Sequence, residues 1–532
     1  MSNNKFDVII VGGGMAGANA AYPLVMAGLK VAILDGGISS QHNLEQDFQG
    51  SFEEIRRSRK DQHNLFLGYN LQGLATEKKD ESHSLSIAGG NRSYVVESTD
   101  KFLPIISNNI QILQSLAKGG LSETWGAACD ILDGEELESI GIPKDKMNEN
   151  YQEVITRIGI SGESKEFKTQ PSANLDKNAR ELLNAYEKKQ SLDNSNFKIK
   201  KPLLALVTKK FKGRKPVSYR DLEYSINAGN SIYRARFTVE ELEKKKNFSY
   251  LSGKVVRKIS KKRKNNLISA ETFEGNLEKY YSRYVIMAAG SINTVRILLE
   301  SLNLYQVKVP FITKPHFIIP CLNLRTLGHK GDKERHSLCQ LVIDDKLKIR
   351  GLGRSYSQIY SYKSLMLYKL AGYSPLPMPE TLSLLSIFAP SLVLIDSRFP
   401  SFQNTQNGAF LVKDKGRNVL RVENMPSHLK NQEEKTLKKI KKLLLSLGVI
   451  PLKVVATPLG SSAHYAGGVP NTKNESFPLR VNDLGELAQI DNVYIADAST
   501  WKALPAKPPA LTIMANANRI GKEVLKDLKK SG

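Results

Sequence analysis

The chain has little cysteine and no long hydrophobic run. Its 532 residues include three cysteines, and Cys129, Cys321 and Cys339 are too few and too scattered for a disulfide framework or a clustered metal site. The most apolar stretch, residues 382–395, is too short to cross a bilayer and contains Pro390. We therefore expect no metal centre and no membrane-spanning helix.

Nothing before Lys5 resembles a signal peptide with a charged start, an apolar middle and a small-residue cleavage site. The first apolar segment follows almost at once. These features predict a cytoplasmic protein.

Acidic residues are scarce relative to basic ones, with 53 Asp and Glu against 77 Lys and Arg and a net charge of +24. Such an excess attracts anionic partners. The basic clusters lie within ordinary core patterning, without interleaved aromatic residues or a nucleic-acid recognition motif. We expect no nucleic-acid partner, whereas peripheral association with the anionic inner face of the membrane remains open.

The N-terminal segment KFDVIIVGGGMAGANAAYPLVMAGLKVAILD is typical of a βαβ unit that binds a dinucleotide. Gly12, Gly14 and Gly17 have G-x-G-x-x-G spacing, in which the glycines permit a tight turn, close approach to a pyrophosphate, and close packing of helix on strand. Met15 and Ala16 open the helix, whose N-terminus favours phosphate. Asp35 ends the second strand, where its carboxylate can bind the adenosine ribose.

Two later segments also read as strands that end in small residues, each followed by a helical pattern. They are YVIMAAGS at residues 284–291 and NVYIADAS at residues 492–499. In an open α/β sheet, ligands bind beyond the carboxyl ends of the strands. Three such ends can hold one extended dinucleotide along its whole length, which favours FAD over NAD. Because the three strands come from distant parts of the chain, the nucleotide-binding domain is expected to be discontinuous.

Together these segments resemble the glucose-methanol-choline (GMC) oxidoreductases, which use FAD. The resemblance also rests on GGLSETWGAA at residues 119–128, on HYAGG at residues 464–468 and on the run NVYIADASTWKALPAKPPALTIMANANRIG, and the order of the motifs is that of the family. It covers about half of the chain. It implies an α/β fold with a Rossmann-like FAD-binding domain, from residues 1–135, 236–314 and 445–532, and a substrate domain with an antiparallel sheet and helices, from residues 136–235 and 315–444.

The resemblance also implies functional residues. His464 matches the histidine that accepts the proton of the substrate hydroxyl while hydride passes to the flavin, although it could instead be a satisfied core or loop histidine. His316 is the only other histidine near a domain junction. Trp125 could equally be a packing residue. The cofactor-binding residues expected beyond the first βαβ unit are Gly120, Ser122, Trp125, Gly126, Val256, Ala289, Gly290, Asp497, Ala498, Pro509 and Ala510.

One position departs from the family. The residue eleven positions after Asp497 is generally Asn or His and partners the catalytic histidine, but here it is Pro508. Proline has no side-chain donor or acceptor and no backbone N–H. One hypothesis is that Lys507 compensates by placing a cation near the flavin edge where negative charge develops.

We therefore predict an FAD-dependent oxidoreductase that oxidises a CH–OH group of a small molecule or glycan. A sugar or glycoconjugate is favoured by analogy, because the GGLSETWGAA loop resembles that of the sugar-oxidising branches of the family more than that of the choline branch. Two alternatives stay open. One is a reductase or isomerase for a lipid or polyketide-like substrate, with His464 as an acid. The other is a non-catalytic flavin protein in an assembly. The sequence leaves the electron acceptor and the oligomeric state undefined.

Overall fold

The computed structural model describes residues 4–71, 90–190, 197–223, 225–345, 355–361, 375–404, 406–423 and 430–530. The strands are β1 Lys5–Val11, β2 Val31–Leu34, β3 Ile105–Asn108, β4 Ala128–Cys129, β5 Phe197–Lys200, β6 Leu203–Leu204, β7 Phe248–Leu251, β8 Lys254–Lys262, β9 Asn265–Thr272, β10 Leu277–Met287, β11 Val309–Pro310, β12 Ile312–Thr313, β13 His316–Asn323, β14 Leu341–Asp345, β15 Tyr356–Ser361, β16 Leu392–Arg398, β17 Ser401–Phe402, β18 Gly408–Asp414, β19 Arg417–Glu423, β20 Val449–Pro451, β21 Val455–Ala456, β22 Tyr465–Ala466, β23 Val493–Ile495 and β24 Ala503–Leu504. The α-helices are Met15–Met26, Leu44–Asp47, Phe52–Ser58, Gln62–Leu67, Thr99–Phe102, Gly134–Ile140, Met147–Ile158, Lys177–Gln190, Ala235–Leu242, Ser291–Ser301, Met378–Phe388, Lys430–Ser446 and Ala510–Lys530.

The N-terminal segment forms the predicted βαβ unit at the centre of a seven-stranded sheet. The strand order is β7-β2-β1-β10-β9-β8, with β23 also paired to β10. The pairs among β7, β2, β1, β10 and β23 are parallel, whereas β10, β9 and β8 form an antiparallel meander. Strands β2 and β23 and the carboxyl-terminal ends of β1 and β10 are apolar and buried, as strands with both faces covered must be, whereas only Phe248 of β7 is buried. The predicted α/β class and Rossmann-like arrangement are confirmed.

Two glycines allow the turn after β1 to pack against its neighbours through backbone alone. A Cβ atom at Gly12 would lie 2.6 Å from the carbonyl oxygen of Ala288, at the end of β10, and Gly12 has a φ of +98°. A Cβ atom at Gly17 would lie 1.9 Å from the carbonyl oxygen of Gly12. The first helix therefore reaches the turn only because position 17 has no side chain.

A second seven-stranded sheet is antiparallel and supplies the other side of the site described below. Its order is β20-β13-β16-β15-β14-β5, with β21 also paired to β13. The helices Lys177–Gln190 and Lys430–Ser446 cover one face, through a core that includes Leu182, Ile440 and Leu444. Such a sheet with helices was predicted for the substrate domain.

Some strand pairings cross the predicted domain segments. Strands β20 and β21, from the segment 445–532 assigned to the FAD-binding domain, pair with β13 of the second sheet. Strands β18 and β19, from the segment 315–444, pair with β11 and β3 in a separate four-stranded sheet. Sequence patterning detects strands but not their long-range partners. The domain boundaries themselves stay a prediction.

The most apolar stretch of the sequence is only partly buried. Its first half lies in the helix Met378–Phe388, where Leu384 is 49% and Ile387 60% exposed, whereas its second half forms the buried strand β16. By contrast, the helix Lys430–Ser446 buries one apolar face, including Leu437 and Leu443. Within the described ranges, no helix is both long and apolar enough to cross a membrane.

We expect Gly17→Ala to lower the free energy of unfolding by about 1–3 kcal/mol, because the new methyl group would press on the backbone of Gly12. The matched control is Gly14→Ala. Gly14 has a φ of −73° and no heavy atom within 4 Å of an added Cβ, so its change should stay within about 0.5 kcal/mol. Urea denaturation of the FAD-free proteins measures both, and equal stabilities would contradict the packing argument.

Candidate functional site

A cavity of about 430 Å³ lies between the first sheet and the second. It opens at the carboxyl ends of the parallel strands, where ligands of such sheets bind. The predicted site residues that line it are Gly12, Gly14, Met15, Ala16, Asp35, Gly120, Ser122, Trp125, Gly126, Val256, Ala289, Gly290, His464, Asp497, Ala498, Pro509 and Ala510. Gly17 does not line the cavity, because it is packed against the carbonyl of Gly12 beneath the turn.

The glycines at one end form a cradle that side chains would fill. An added Cβ at Gly14 or Gly290 would meet nothing within 4 Å, and both residues line the cavity. The helices Met15–Met26 and Ala510–Lys530 begin there, so their free N–H groups and positive dipole ends lie at the same place. This combination suits the pyrophosphate of a dinucleotide.

Asp35 lies beside that cradle. The hydroxyl of Tyr250 donates to its Oδ2 at 2.7 Å, and the backbone N–H groups of Gly13 and Gly36 also donate to it. Burial raises the pKa of Asp35 to about 6, against these hydrogen bonds and the nearby charge of Lys118. The carboxylate is therefore poised to gain stability from additional donors, such as ribose hydroxyls.

Two of the predicted side chains are occupied by bonds within the protein. Ser122 Oγ donates to the carbonyl of Gly119 and accepts from the N–H of Ala235. Trp125 Nε1 donates to the carbonyl of Tyr233 at 2.8 Å. These bonds fix the GGLSETWGAA loop against the chain near residue 235. The structure thus shows Ser122 and Trp125 positioning the wall of the cavity.

The carboxylate of Asp497 joins the ends of β10 and β23. It accepts from the N–H of Gly290 at 3.0 Å, from the hydroxyl of Thr294 and from the N–H of Ser499. Burial raises its pKa, opposed by these bonds. Asp497 therefore organises the backbone that lines the cavity, and its carboxylate has little capacity left for a ligand.

The opposite wall is polar and comes largely from residues that the sequence did not indicate. Strands β13, β15 and β16 place side chains there, and the loop before β22 adds others. The polar residues of this wall are His316, Gln358, Tyr360, Arg398, Ser461, Ser462 and His464. Alternation along β15 and β16 puts Gln358 and Tyr360, and likewise Asp396 and Arg398, on common faces. That alternation was the one available signal, and it does not reveal which distant residues meet.

His464 lies in this wall, next to a guanidinium. Arg398 Nη1 is 3.4 Å from His464 Nδ1. Burial and then the charges of Lys314, Arg398 and His316 hold the pKa of His464 well below its ordinary value. Because arginine can only donate, Nδ1 is the acceptor, and the neutral ring carries its proton on Nε2. This bond weighs against His464 as proton acceptor, a role that stays a prediction.

Two buried polar atoms in the wall have no hydrogen-bond partner within the described part of the chain. They are Gln358 Nε2 and Ser462 Oγ. Gln358 is 1% exposed, and Tyr360 Oη donates to its Oε1 at 3.0 Å. An unsatisfied buried donor costs about 1–3 kcal/mol unless a ligand or water bonds to it.

The hypothesis for Lys507 is wrong. Its Nζ donates to Glu136 at 2.7 Å and to the carbonyl of Ile131, and Lys507 does not line the cavity. Pro508 does line it. The buried cation near His464 is instead Lys314, whose Nζ donates to the carbonyls of Pro505, Ala506 and Lys507. Lys314 therefore fixes the segment that leads to Pro508.

Residues 7–60 match the family model described as an FAD binding domain. The matched segment contains β1, the glycine turn, the first helix and β2 with Asp35. The chain therefore binds FAD, and the match supports a flavin-dependent oxidoreductase in general. A search of curated proteins finds no match to the chain.

Asp35→Asn should weaken FAD binding about 10–100-fold at pH 8, since a hydrogen bond to a charged group is worth about 1.5–3 kcal/mol. In the unaltered protein the affinity should fall as the pH drops through about 6, where Asp35 becomes protonated, and the variant should lose this dependence. Flavin fluorescence titration measures both. FMN is the control ligand because it has no adenosine ribose, and an equal loss of FMN affinity would contradict this role.

Proposed function

We propose that the chain is an FAD-dependent oxidoreductase of the GMC type that oxidises a CH–OH group of a polyhydroxylated substrate, such as a sugar or glycoconjugate. The observation that carries the proposal is the polar wall of the FAD cavity, which contains His464 together with unsatisfied donors. The order of the sequence motifs around the same cavity supports the GMC assignment. Substrate and cofactor would share this one enclosed space.

The chemistry of the wall favours many hydroxyl groups over an apolar chain. Gln358 Nε2 and Ser462 Oγ are buried and without partners within the described residues, so each gains a hydrogen bond when an oxygen-rich ligand enters. An aliphatic substrate would leave both unsatisfied and would desolvate Arg398 as well. Sites built from such donors reject analogues that lack the matching hydroxyl. The lipid or polyketide-like alternative is accordingly less favoured.

Bound FAD would supply a two-electron acceptor for the hydride of the CH–OH carbon. The protein's part is to hold and polarise the hydroxyl. His464 stays neutral and, with Nδ1 directed at Arg398, presents an N–H donor from Nε2. A donor at this place stabilises negative charge on the substrate oxygen as its proton leaves. Arg398 adds a fixed positive charge at the same end.

A second candidate is an FAD-dependent reductase or isomerase in which His464 acts as a hydrogen-bonding acid. The observation that favours it is the same Arg398 contact, because a ring with its proton on Nε2 can donate to a carbonyl oxygen of the substrate. The two candidates differ in the direction of electron flow. Reoxidation of the chemically reduced protein by carbonyl compounds or enones, without bleaching by any alcohol, would favour this candidate.

Anaerobic titration of the FAD-loaded protein with free sugars, alditols, sugar nucleotides and aliphatic alcohols tests the proposal. We expect polyhydroxylated compounds to bleach the visible flavin band, because only they satisfy the donors of the polar wall. The aliphatic alcohols are the control. Bleaching by long-chain alcohols alone would contradict the substrate class, and an unbleached band with every alcohol would contradict CH–OH oxidation.

Gln358→Met should raise the substrate concentration needed for half-maximal bleaching about 10-fold, since it removes one donor while keeping the length of the side chain. FAD affinity should not change. Gln152→Met is the control, because Gln152 lies on the helix Met147–Ile158 and does not line the cavity. Matching half-saturation values for the two variants would show that Gln358 does not contact the substrate.

A further inference from the structure

The polar wall contains a second histidine with the surroundings of a base. His316 begins β13 and is 9% exposed, and it lines the cavity. Its Nδ1 is 3.2 Å from Asp396 Oδ1, and its Nε2 is 2.9 Å from Ser461 Oγ. A carboxylate on one ring nitrogen orients an imidazole and stabilises the imidazolium that forms when the other nitrogen takes a proton.

Asp396 is held in its ionised form. Its Oδ2 accepts from Arg398 Nε at 3.0 Å and from Nη2 at 2.7 Å. Burial opposes ionisation, but the Arg398 guanidinium and the hydrogen bond from His316 outweigh it, so the pKa of Asp396 lies below its ordinary range. His316 therefore faces a permanent negative charge. The charged and titratable groups around it are Asp396, Arg398, Lys314 and His464.

The hydroxyl of Ser461 can satisfy His316 in both protonation states. It lies within bonding distance of His316 Nε2 and, at 2.6 Å, of the carbonyl of Pro458. When the ring is neutral, the hydroxyl can donate to Nε2. When Nε2 carries a proton, the hydroxyl can turn to Pro458 and accept from the ring. His316 can thus gain a proton without leaving any of these groups unpaired.

The loop that presents Ser461 is firmly fixed. Gly460 has a φ of +82°, and an added Cβ there would lie 2.0 Å from the carbonyl oxygen of Gln111. Tyr465 Oη accepts from the N–H of Leu113 and donates to the carbonyl of Gly460. Thr457 Oγ1 donates to the carbonyl of His316 at 2.9 Å. Serine and histidine are therefore held in register by several separate bonds.

We propose that His316, held by Asp396, is the proton acceptor of the reaction, and that Ser461 passes the proton to it. The substrate hydroxyl gives its proton to Ser461 Oγ while the Ser461 proton moves to His316 Nε2. Bound FAD would accept the C–H hydrogen with its electron pair as hydride, and the CH–OH carbon would become a carbonyl. This inference rests on the proposed function. His464 donates to the substrate oxygen. His316 and Asp396 supply the proton acceptor, which Pro508 cannot because proline has no side-chain donor or acceptor.

The same three residues also resemble the array of an acyl-transfer nucleophile. The placement favours a relay, because Ser461 lines the cavity that also contains the FAD cradle. A fluorophosphonate probe separates the two roles. Rapid labelling of Ser461 that depends on His316 would overturn the relay, whereas an unlabelled Ser461 supports it.

Anaerobic stopped-flow measurement of flavin reduction tests the proposal. His316→Gln should slow reduction about 100-fold or more, with FAD affinity unchanged. Ser461→Ala should be similarly slow, and Ser461→Thr should restore most of the rate because it keeps the hydroxyl.

The matched control is His329→Gln, which alters another His–Asp pair. His329 Nε2 is 3.4 Å from Asp332, and His329 does not line the cavity, so the rate should not change. A second readout needs no substrate. In ¹⁵N-histidine spectra of the FAD-loaded protein, Ser461→Ala should change the His316 Nε2 signal, because that nitrogen loses its hydroxyl partner, whereas His329→Gln should leave it unchanged.

The outcomes are distinguishable. A His316→Gln protein that is reduced at the normal rate overturns the role of His316 alone. An unaltered protein that no alcohol reduces overturns the proposed function, and this inference with it. A rate that falls in Ser461→Ala but is not restored in Ser461→Thr would overturn the relay through Ser461.

Discussion

The carboxyl ends of β1, β10 and β23 approach one another so closely that backbone atoms replace side chains at their contacts. Gly12 faces the carbonyl of Ala288, and Gly17 faces the carbonyl of Gly12, each with no room for a Cβ atom. The Asp497 carboxylate then ties the end of β23 to the N–H of Gly290. Because backbone dipoles and helix N-termini are exposed at this junction, it becomes a place for phosphate.

Everything else in the site is positioned relative to that junction. Lys314, just before β13 of the second sheet, donates through Nζ to the carbonyls of Pro505, Ala506 and Lys507, which shortly precede the C-terminal helix. A buried ammonium is tolerated only when its protons are satisfied, so these bonds also fix where β13 begins. His316 follows two residues later. Hydrogen bonds from the Lys314 side chain to main-chain carbonyls thus hold the polar wall against the FAD cradle.

Local patterns predicted one side of the site and missed the other. Strands, helices and glycines around FAD follow short-range rules, and nearly all the residues expected there line the cavity. The polar wall depends on strand pairing, which places His316 beside Asp396, 80 residues away. Alternation shows which residues share a face, but not which strands become neighbours. Lys507 was expected to place a cation at the flavin because it is next to Pro508 in the sequence. Its Nζ instead donates to Glu136.

The Arg398 guanidinium links the chemistry of the two histidines. It donates to Asp396 and favours the ionised form of that carboxyl. It also lies 3.4 Å from His464 Nδ1, where its charge adds to burial and to Lys314 in lowering the pKa of His464. A neutral imidazole has one lone-pair nitrogen, and at His464 that nitrogen faces a group that can only donate. His316 faces a carboxylate instead, and protonation strengthens that contact. The two histidines of this cavity thus have opposite charges as neighbours, which is the kind of contrast that separates acid and base groups in active sites.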